Sequence, residues 1–251
     1  MQLTLLPTLA VQRELHGIPR GPERFRAYLV AMTKNDEIAL PLAGMNPMGR
    51  EHVAAMLDGL LETDAEAQVA AAAASAAAEL GRVSGAFQVA LVATDDLMGG
   101  WTNRYFAQIS TSFPLRKSLE YGWITVPIWT SEQWTAARVY AHTRAAIYRA
   151  AHYIRFGEAT RLDQMLLQEG RAMRFAALAP PPLDAEDVAY SRAVLRPLHS
   201  ATDYGTIVAG LFGDQAARSV GYPPLGLSAN AGFAVAYSDA SDEARSPADV
   251  L

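Results

Sequence analysis

The fold of this protein is decided by residues 86–93, whose sequence is AFQVALVA. This run is almost continuously apolar, and it is bounded by Gly85 on one side and by Asp95 and Asp96 on the other. A short apolar run between turn residues is typical of a strand that is covered on both faces, as strands of parallel sheets are. We therefore interpret residues 86–93 as the central strand of a sheet that helices cover.

Two further strands are predicted downstream of this run. In residues 105–113, the odd positions alternate with Gln108, Ser110 and Ser112, which indicates a half-buried strand; these odd positions are Tyr105, Ala107, Ile109, Thr111 and Phe113. Residues 123–130 fit a third strand, but Pro127 cannot donate a hydrogen bond to a neighbouring strand. We therefore expect this third strand at an edge of the sheet or at a bulge.

Helical patterns account for most of the remaining chain. A capping box of Thr63 and Glu66 predicts the start of an alanine-rich helix, and Ser131 and Asp184 are expected to cap two later helices. The type of segment 203–220 stays open, because it contains several glycines, whose spacing we attribute to close packing. The predicted helices cover residues 7–16, 22–32, 47–61, 64–81, 131–155, 160–178 and 184–196.

These patterns predict a helix-dominant α+β fold with a sheet of three or four strands covered by about seven helices. A mainly α fold is the alternative. We expect residues 1–237 to form a single globular domain. Residues 238–251 are acidic and small, with little to bury, and are expected to be a disordered tail.

The composition excludes several classes of function. The chain has 251 residues, is 51% hydrophobic and carries a formal net charge of −5, so we expect neither nucleic acid nor a membrane as a partner. The absence of cysteine rules out disulfides, cysteine-ligated metals and thiol nucleophiles. Nearly all basic residues are arginine, with lysine only at Lys34 and Lys117, and together with the many alanines this composition is bacterial-like.

The N-terminal segment does not resemble a signal peptide. Residues 1–11 are largely apolar, but they lack a basic start, and no small-residue cleavage site follows them. No stretch of about 18 apolar residues occurs without charge or proline. We expect a soluble protein of the cytoplasm.

The first candidate site is the polar segment that directly follows the central strand. Ligands of helix-covered sheets bind beyond the carboxyl ends of strands, where loops converge. We predict Asp95 and Asp96 as catalytic acids, bases or metal ligands, and Trp101, Asn103 and Arg104 as ligand-binding residues. The alternative is that the acidic and glycine residues only form the connection.

The second candidate site lies on the predicted helix 131–155. At 100° per residue, four polar residues fall within one narrow arc of this helix: Arg138, His142, Arg149 and Tyr153. This row could hold a carboxylate or phosphate, with the imidazole of His142 as acid or base. The alternative is a solvated helix face.

The sequence offers little support for a metal or nucleotide site. His142 and His152 point about 80° apart on an ideal helix, and no zinc-type histidine pair is present. The glycines of segment 203–220 have neither phosphate-loop nor dinucleotide spacing. We expect no metal site, and the sequence leaves the cofactor open.

We combine the two candidate sites into one hypothesis. The protein would bind or turn over a small polar or anionic molecule between the 95–104 loop and the 131–155 helix. Arg104 and Arg149 would clamp the anion. A non-catalytic interaction protein or homo-oligomeric assembly protein is the alternative.

Overall fold

The computed structural model describes residues 1–34, 37–97 and 103–251. Trp101, one of the predicted ligand-binding residues, lies outside the described residues. The chain divides into two compact units. The first unit comprises Met1–Thr111 and Arg116–Ile147, and the second comprises Ser112–Leu115 and Tyr148–Leu251.

The first unit contains a small sheet and the helices around it. Its elements are β1 (Gln2–Leu5), α1 (Leu9–Gly17), α2 (Pro22–Met32), β2 (Thr33–Lys34), β3 (Glu37–Ile38), α3 (Glu51–Glu62), α4 (Ala65–Glu79), β4 (Ala86–Thr94), α5 (Arg104–Ser112), α6 (Arg116–Glu120) and β5 (Trp123–Trp129). Helix α7 (Ala136–Phe156) follows, and the division between the units falls after its residue Ile147.

The sheet has three parallel strands in the order β1-β4-β5, and β2 pairs with β3 in a separate antiparallel ribbon. Strand β4 is central, and each residue from Val89 to Ala93 is fully buried, which confirms the prediction from residues 86–93. Strand β5 lies at an edge, so the missing donor of Pro127 faces away from β4, as predicted. The α+β class is confirmed.

Strand β1 was not predicted, and it is shorter than its neighbour. It pairs with residues Ala86 to Val89 only, so the second half of β4 has no strand on that side. Helix α1 lies there instead, and the Gln12 side chain replaces the missing strand. Its Nε2 donates to the carbonyl of Leu91 over 2.8 Å, and its Oε1 accepts from the amide of Ala93 over 2.8 Å.

The predicted strand at residues 105–113 is wrong, because this segment forms helix α5. Asn103 explains the start of this helix, since its Oδ1 accepts hydrogen bonds from the amides of Tyr105 and Phe106. Within the helix, Ile109 and Ser112, three residues apart, are both buried, as expected for one helix face. Alternation over so short a segment did not distinguish the two structures.

Two predicted caps are also wrong. Thr63 does not cap α4, and Glu66 reaches a different helix, where its Oε1 accepts from the amides of Thr8 and Leu9 at the start of α1. Ser131 does not begin α7, because its hydroxyl donates to Asp96. The hydroxyl of Thr135 accepts from the amide of Arg138 at the observed start of the helix.

The second unit is helical in its described residues. After the end of α7 it contains α8 (Leu162–Phe175), α9 (Ala185–Leu195), α10 (Tyr204–Phe212), α11 (Asp214–Ser219), α12 (Ala231–Ser241) and α13 (Pro247–Val250). Asp184 caps α9 as predicted. The open segment 203–220 forms two helices, divided at Gly213, whose φ is +87°.

The C-terminal residues differ from the expected disordered tail. Helix α12 continues to Ser241, and Arg171 of α8 pairs with Glu243 at 3.0 Å. The hydroxyl of Tyr148 donates to the carbonyl of Pro247 over 3.1 Å. Glu243 and Asp239 therefore have ion-pair partners within the unit, which composition alone does not reveal. Among the described residues, no helix combines the length and the apolar character needed to span a bilayer.

Candidate functional site

Asp95 lies directly beyond the carboxyl end of β4, and it is 2% exposed. Its Oδ1 accepts from His52 Nε2 over 2.8 Å, from the Thr130 hydroxyl over 3.1 Å and from the amide of Leu97 over 3.2 Å. Its Oδ2 accepts from Asn46 Nδ2 over 2.8 Å. Four donors thus fix this carboxylate and, through it, the ring of His52.

Asp96 belongs to a second network at the end of β5. Its carboxylate accepts from the amide of Ser131 over 2.9 Å, from the Ser131 hydroxyl over 2.6 Å and from Arg104 over 3.0 Å. Burial opposes ionisation, but the hydrogen bonds from Ser131 and Arg104 outweigh it and hold the pKa of Asp96 below its usual value.

The arginines of this region are paired with Glu132. Arg104 contacts one oxygen of Glu132, and Arg138 contacts the other at 2.6 Å. The guanidinium of Arg104 also lies 4.3 Å from the ring centre of Trp129. Two of the predicted anion-binding residues therefore already bind carboxylates of the protein itself.

The remaining predicted residues are divided between several roles. Asn103 caps α5, and the ring of His142 meets the ring of Trp134 edge-on, with centroids 5.0 Å apart. Arg149 lies in the second unit, where it forms two 2.7 Å hydrogen bonds to the buried Glu169. Tyr153 also belongs to the second unit. Asp95, Asp96, Arg104, Arg138 and His142 share the first unit.

A polar row on α1 was not predicted from the sequence. Thr8, Gln12 and His16 are four residues apart and all are buried. The hydroxyl of Thr8 donates to the carbonyl of Leu91 over 2.5 Å, next to the contacts of Gln12. Four residues of helix rise about 6 Å and two residues of strand about 6.6 Å, so the row follows β4 and brings His16 towards Asp95.

The protonation of His16 is set by its burial and by its neighbour Arg24. Burial, reinforced by the charges of Arg24 and Arg13, lowers the pKa of His16 from 6.5 to about 4, although Asp95 acts in the opposite direction. His16 is therefore neutral near pH 7. Arg24 Nη1 lies 3.4 Å from His16 Nδ1, and a guanidinium can only donate, so Nδ1 is the acceptor.

It follows that Nε2 of His16 carries the proton. This nitrogen is buried and has no hydrogen-bond partner among the described residues. An unsatisfied buried donor costs about 1–3 kcal/mol, so the site calls for an oxygen acceptor. Arg24 cannot supply one, and its own position is fixed by hydrogen bonds to the carbonyls of Ile18 and Gly49.

A cavity of about 530 Å³ adjoins this histidine. We call it the α3 pocket, because the residues at the start of α3 form one of its walls. Its lining includes His16, Arg20, Arg24, Gly49, Arg50 and Glu51. The side chains of Arg20 and Arg50 have no ion pair or hydrogen bond within the part of the chain that the structure describes. Three guanidinium groups thus face one carboxylate, Glu51.

The chain matches no known protein family, and no curated protein or solved structure is similar to it. Its function therefore has to be argued from the geometry of the α3 pocket and of the Asp95 cluster, which we define as Asp95 with Asn46, His52 and Thr130.

A metal site receives no support from the described residues. No group of three or more histidine, aspartate or glutamate side chains is arranged to hold a metal ion there.

Sequence reasoning missed His16, His52 and Arg24. One signal was available for the first of them, because Thr8, Gln12 and His16 repeat every four residues on a short helix and would all lie on one face. The other two are isolated in the sequence. Only the packing of α1, α2 and α3 at the end of β4 brings their side chains together.

Proposed function

We propose that the first unit binds a small anionic molecule in the α3 pocket. The single observation that carries this proposal is that His16, whose buried Nε2 has no hydrogen-bond partner among the described residues, lines a cavity together with three arginines. Anion oxygens are the acceptors that guanidinium groups and imidazole N–H groups bind best. The volume of about 530 Å³ is in the range of small-molecule sites.

The proposal keeps the anionic ligand expected from the sequence and moves its site. The expected site lay between the 95–104 loop and the 131–155 helix, but Arg104 and Arg138 bind Glu132, and Arg149 binds Glu169. An anion there would have to displace protein carboxylates. In the α3 pocket, Arg20 and Arg50 have no such partner among the described residues, so binding breaks no ion pair.

Calorimetric titration with inorganic phosphate at low ionic strength tests the proposal. Arg20→Gln and Arg50→Gln should each weaken binding by roughly 5- to 30-fold, because each removes one charge-assisted hydrogen bond. Both side chains are exposed, so the fold should tolerate the changes. Arg82→Gln, at an exposed arginine between α4 and β4, is the matched control.

Two outcomes contradict the proposal. One is the absence of phosphate binding by the unaltered protein, and the other is an equal loss of affinity in the Arg82 control. The second would mean that phosphate responds only to the overall charge of the protein.

An assembly protein remains the second candidate. Leu29, Val30 and Ile38 are exposed apolar residues near the β2–β3 ribbon, with Val30 73% exposed, and they could pack against another copy. Native mass spectrometry would show such an oligomer directly. A monomer across the working concentration range would remove this candidate.

We also propose a cytoplasmic location without a nucleic-acid partner. The formal net charge of −5 supports the second part, because phosphate backbones repel an acidic protein unless a basic surface is present. Cell fractionation and a nucleic-acid retention assay at low salt test the two parts separately.

A further inference from the structure

A second cavity, of about 420 Å³, lies within the second unit. Its lining comes from α8, from α9 with the turn that follows it, and from α12, and we call it the α12 pocket. The lining residues recur about once per helical turn, as Asp163, Leu166 and Leu167 do on α8, so each helix presents one face to the cavity. The volume is in the range of small-molecule sites.

The uncharged part of this lining is entirely aliphatic. It consists of Leu166, Leu167, Leu195, Val235, Ala236 and Ala240. All of these side chains are buried except that of Leu167, which is 44% exposed. Burial of a ligand CH₂ group against such a surface strengthens binding by up to roughly fourfold. This part of the lining therefore suits an aliphatic chain, which would also cover Leu167.

The carboxylates of the lining are already paired. Each of them forms an ion pair with an arginine of the same unit: Asp163 with Arg161 at 2.6 Å, Asp239 with Arg192 at 2.6 Å and Glu243 with Arg171 at 3.0 Å. A cationic ligand would have to compete with these arginines. The acidic residues of the pocket therefore give a ligand ammonium group little to bind.

Arg196 is a lining residue of the opposite kind. Within the part of the chain that the structure describes, its guanidinium has no ion pair and no hydrogen bond. A guanidinium group binds a carboxylate with two parallel hydrogen bonds, and a ligand carboxylate at Arg196 would displace no protein group. The charged part of the lining therefore favours a carboxylate.

Hydrogen bonds between the helices hold the lining in place. Nη2 of Arg192 on α9 donates to Asp239 Oδ1 over 2.6 Å and to the hydroxyl of Ser238 over 3.1 Å, both on α12. The amide of Asp163 on α8 donates to the carbonyl of His199, in the turn after α9, over 3.0 Å. Because the protein itself supplies these bonds, binding requires little further ordering of the lining.

We infer that the α12 pocket binds a small aliphatic carboxylate, with the chain against the leucines and Val235 and the carboxylate on Arg196. The ligand class is the alkanoic acids. An aliphatic amino acid shares the chain and the carboxylate, but its ammonium group would meet carboxylates that are already paired. The site is independent of the α3 pocket, which is lined by residues of the first unit.

Four ligands test the inference by calorimetry on the full-length protein at about pH 7.5, where carboxylates are ionised. Octanoate should bind at least roughly threefold more tightly than octanamide, its uncharged counterpart of similar shape. It should bind at least roughly tenfold more tightly than butanoate, which has four CH₂ groups fewer. It should also bind more tightly than 2-aminooctanoate, and amide shifts of Val235 and Ala236 should locate it in the α12 pocket.

Two substitutions separate the carboxylate contact from the chain contact. Arg196→Gln should weaken octanoate at least roughly threefold and leave octanamide unchanged, whereas Leu167→Ala should weaken both by a similar factor. Both side chains are exposed, so the fold should tolerate the changes. Arg155→Gln and Ile154→Ala, at exposed residues of the same unit outside the lining, are the matched controls and should change neither affinity.

Several results would overturn the inference. One is that octanoate does not bind, or binds without shifting the amides of Val235 and Ala236. Another is that octanamide or 2-aminooctanoate binds as tightly as octanoate, since the carboxylate would then not be what the pocket recognises. A third is that the lining variants behave as their controls do. None of these results affects phosphate binding in the α3 pocket, so the two proposals fail separately.

Discussion

Single polar side chains complete the backbone hydrogen bonding at the end of β4. Gln12 occupies a position where a neighbouring strand would otherwise supply a carbonyl to the amide of Ala93, and its side chain is fully buried. The carbonyl of Leu91 has two donors, Thr8 and Gln12, but the amide of Ala93 has one acceptor. Loss of the Gln12 side chain therefore leaves the amide of Ala93 without an acceptor, whereas the carbonyl of Leu91 keeps Thr8 as a donor.

Gln12→Ala should lower the free energy of unfolding by about 2–3 kcal/mol, because it leaves the buried amide of Ala93 unsatisfied and opens a cavity. Denaturant unfolding measures this change. Gln133→Ala, at an exposed glutamine, should alter stability by less than about 0.5 kcal/mol. Equal effects of the two substitutions would show that Gln12 does not replace a strand.

His152 predicts an acid-sensitive second unit. Its side chain is 5% exposed, neither ring nitrogen has a partner among the described residues, and it lies against Tyr148 and Phe156. Burial, reinforced by the charge of Arg171, lowers the pKa of His152 from 6.5 to about 4. The unfolded chain therefore binds the proton first as the pH falls.

Stability linked to His152 should be fully present above pH 6.5 and should decrease as the pH falls towards about 4. His152→Leu should reduce this dependence, because it removes one group that protonates on unfolding, whereas the contribution of His16, whose pKa is also lowered to about 4, remains. Urea denaturation at a series of pH values measures the slope. His199→Leu, at an exposed histidine of the same unit, should leave the slope unchanged, and a flat profile in the unaltered protein would refute the argument.

At the scale of elements, close approaches and caps join helices that are distant in the sequence. Glu66 of α4 supplies the acceptor for the first amides of α1, where a negative charge also complements the helix dipole. In the second unit, α8 and α12 touch at Gly170, where a Cβ atom would lie 2.1 Å from the carbonyl oxygen of Ala236. This contact requires glycine for space rather than for backbone conformation.

Gly170→Ala should destabilise the second unit by about 1–3 kcal/mol, because α8 and α12 would have to move apart. Gly59→Ala in α3 is the matched control, since no atom lies within 4 Å of the added methyl group. This control should raise stability by about 0.4–1 kcal/mol, because alanine restricts the unfolded chain. Thermal unfolding compares the two, and stabilisation by both would contradict the close contact.

At the scale of the whole molecule, charge is distributed unevenly in an acidic protein. The formal net charge is −5, yet Arg20, Arg24 and Arg50 all line one pocket of the first unit. The arginines elsewhere in the described chain are largely paired, as Arg149 is with Glu169 in the second unit. A local cationic site in an acidic protein suits a small anion better than a polyanion.

The sequence by itself determined the parts of the fold that depend on neighbouring residues. The apolar run at 86–93 predicted the central strand, Pro127 predicted an edge, and Asp184 predicted a helix start, because each signal acts within a few residues. Asp95 and Asp96 were recognised as lying beyond the central strand for the same reason. The prediction of a strand at 105–113 was wrong, because over nine residues an alternating pattern does not distinguish a strand from a short amphipathic helix.

Only the tertiary structure decided which polar residues share a site. Asp95 meets Asn46, His52 and Thr130, which are 35 to 49 residues away in the chain. Strand register and helix packing determine such contacts, and neither is encoded in local spacing. The same packing pairs Arg104 and Arg138 with Glu132 and leaves Nε2 of His16 without a partner among the described residues. For this reason we place the candidate site in the α3 pocket and not beside Arg104.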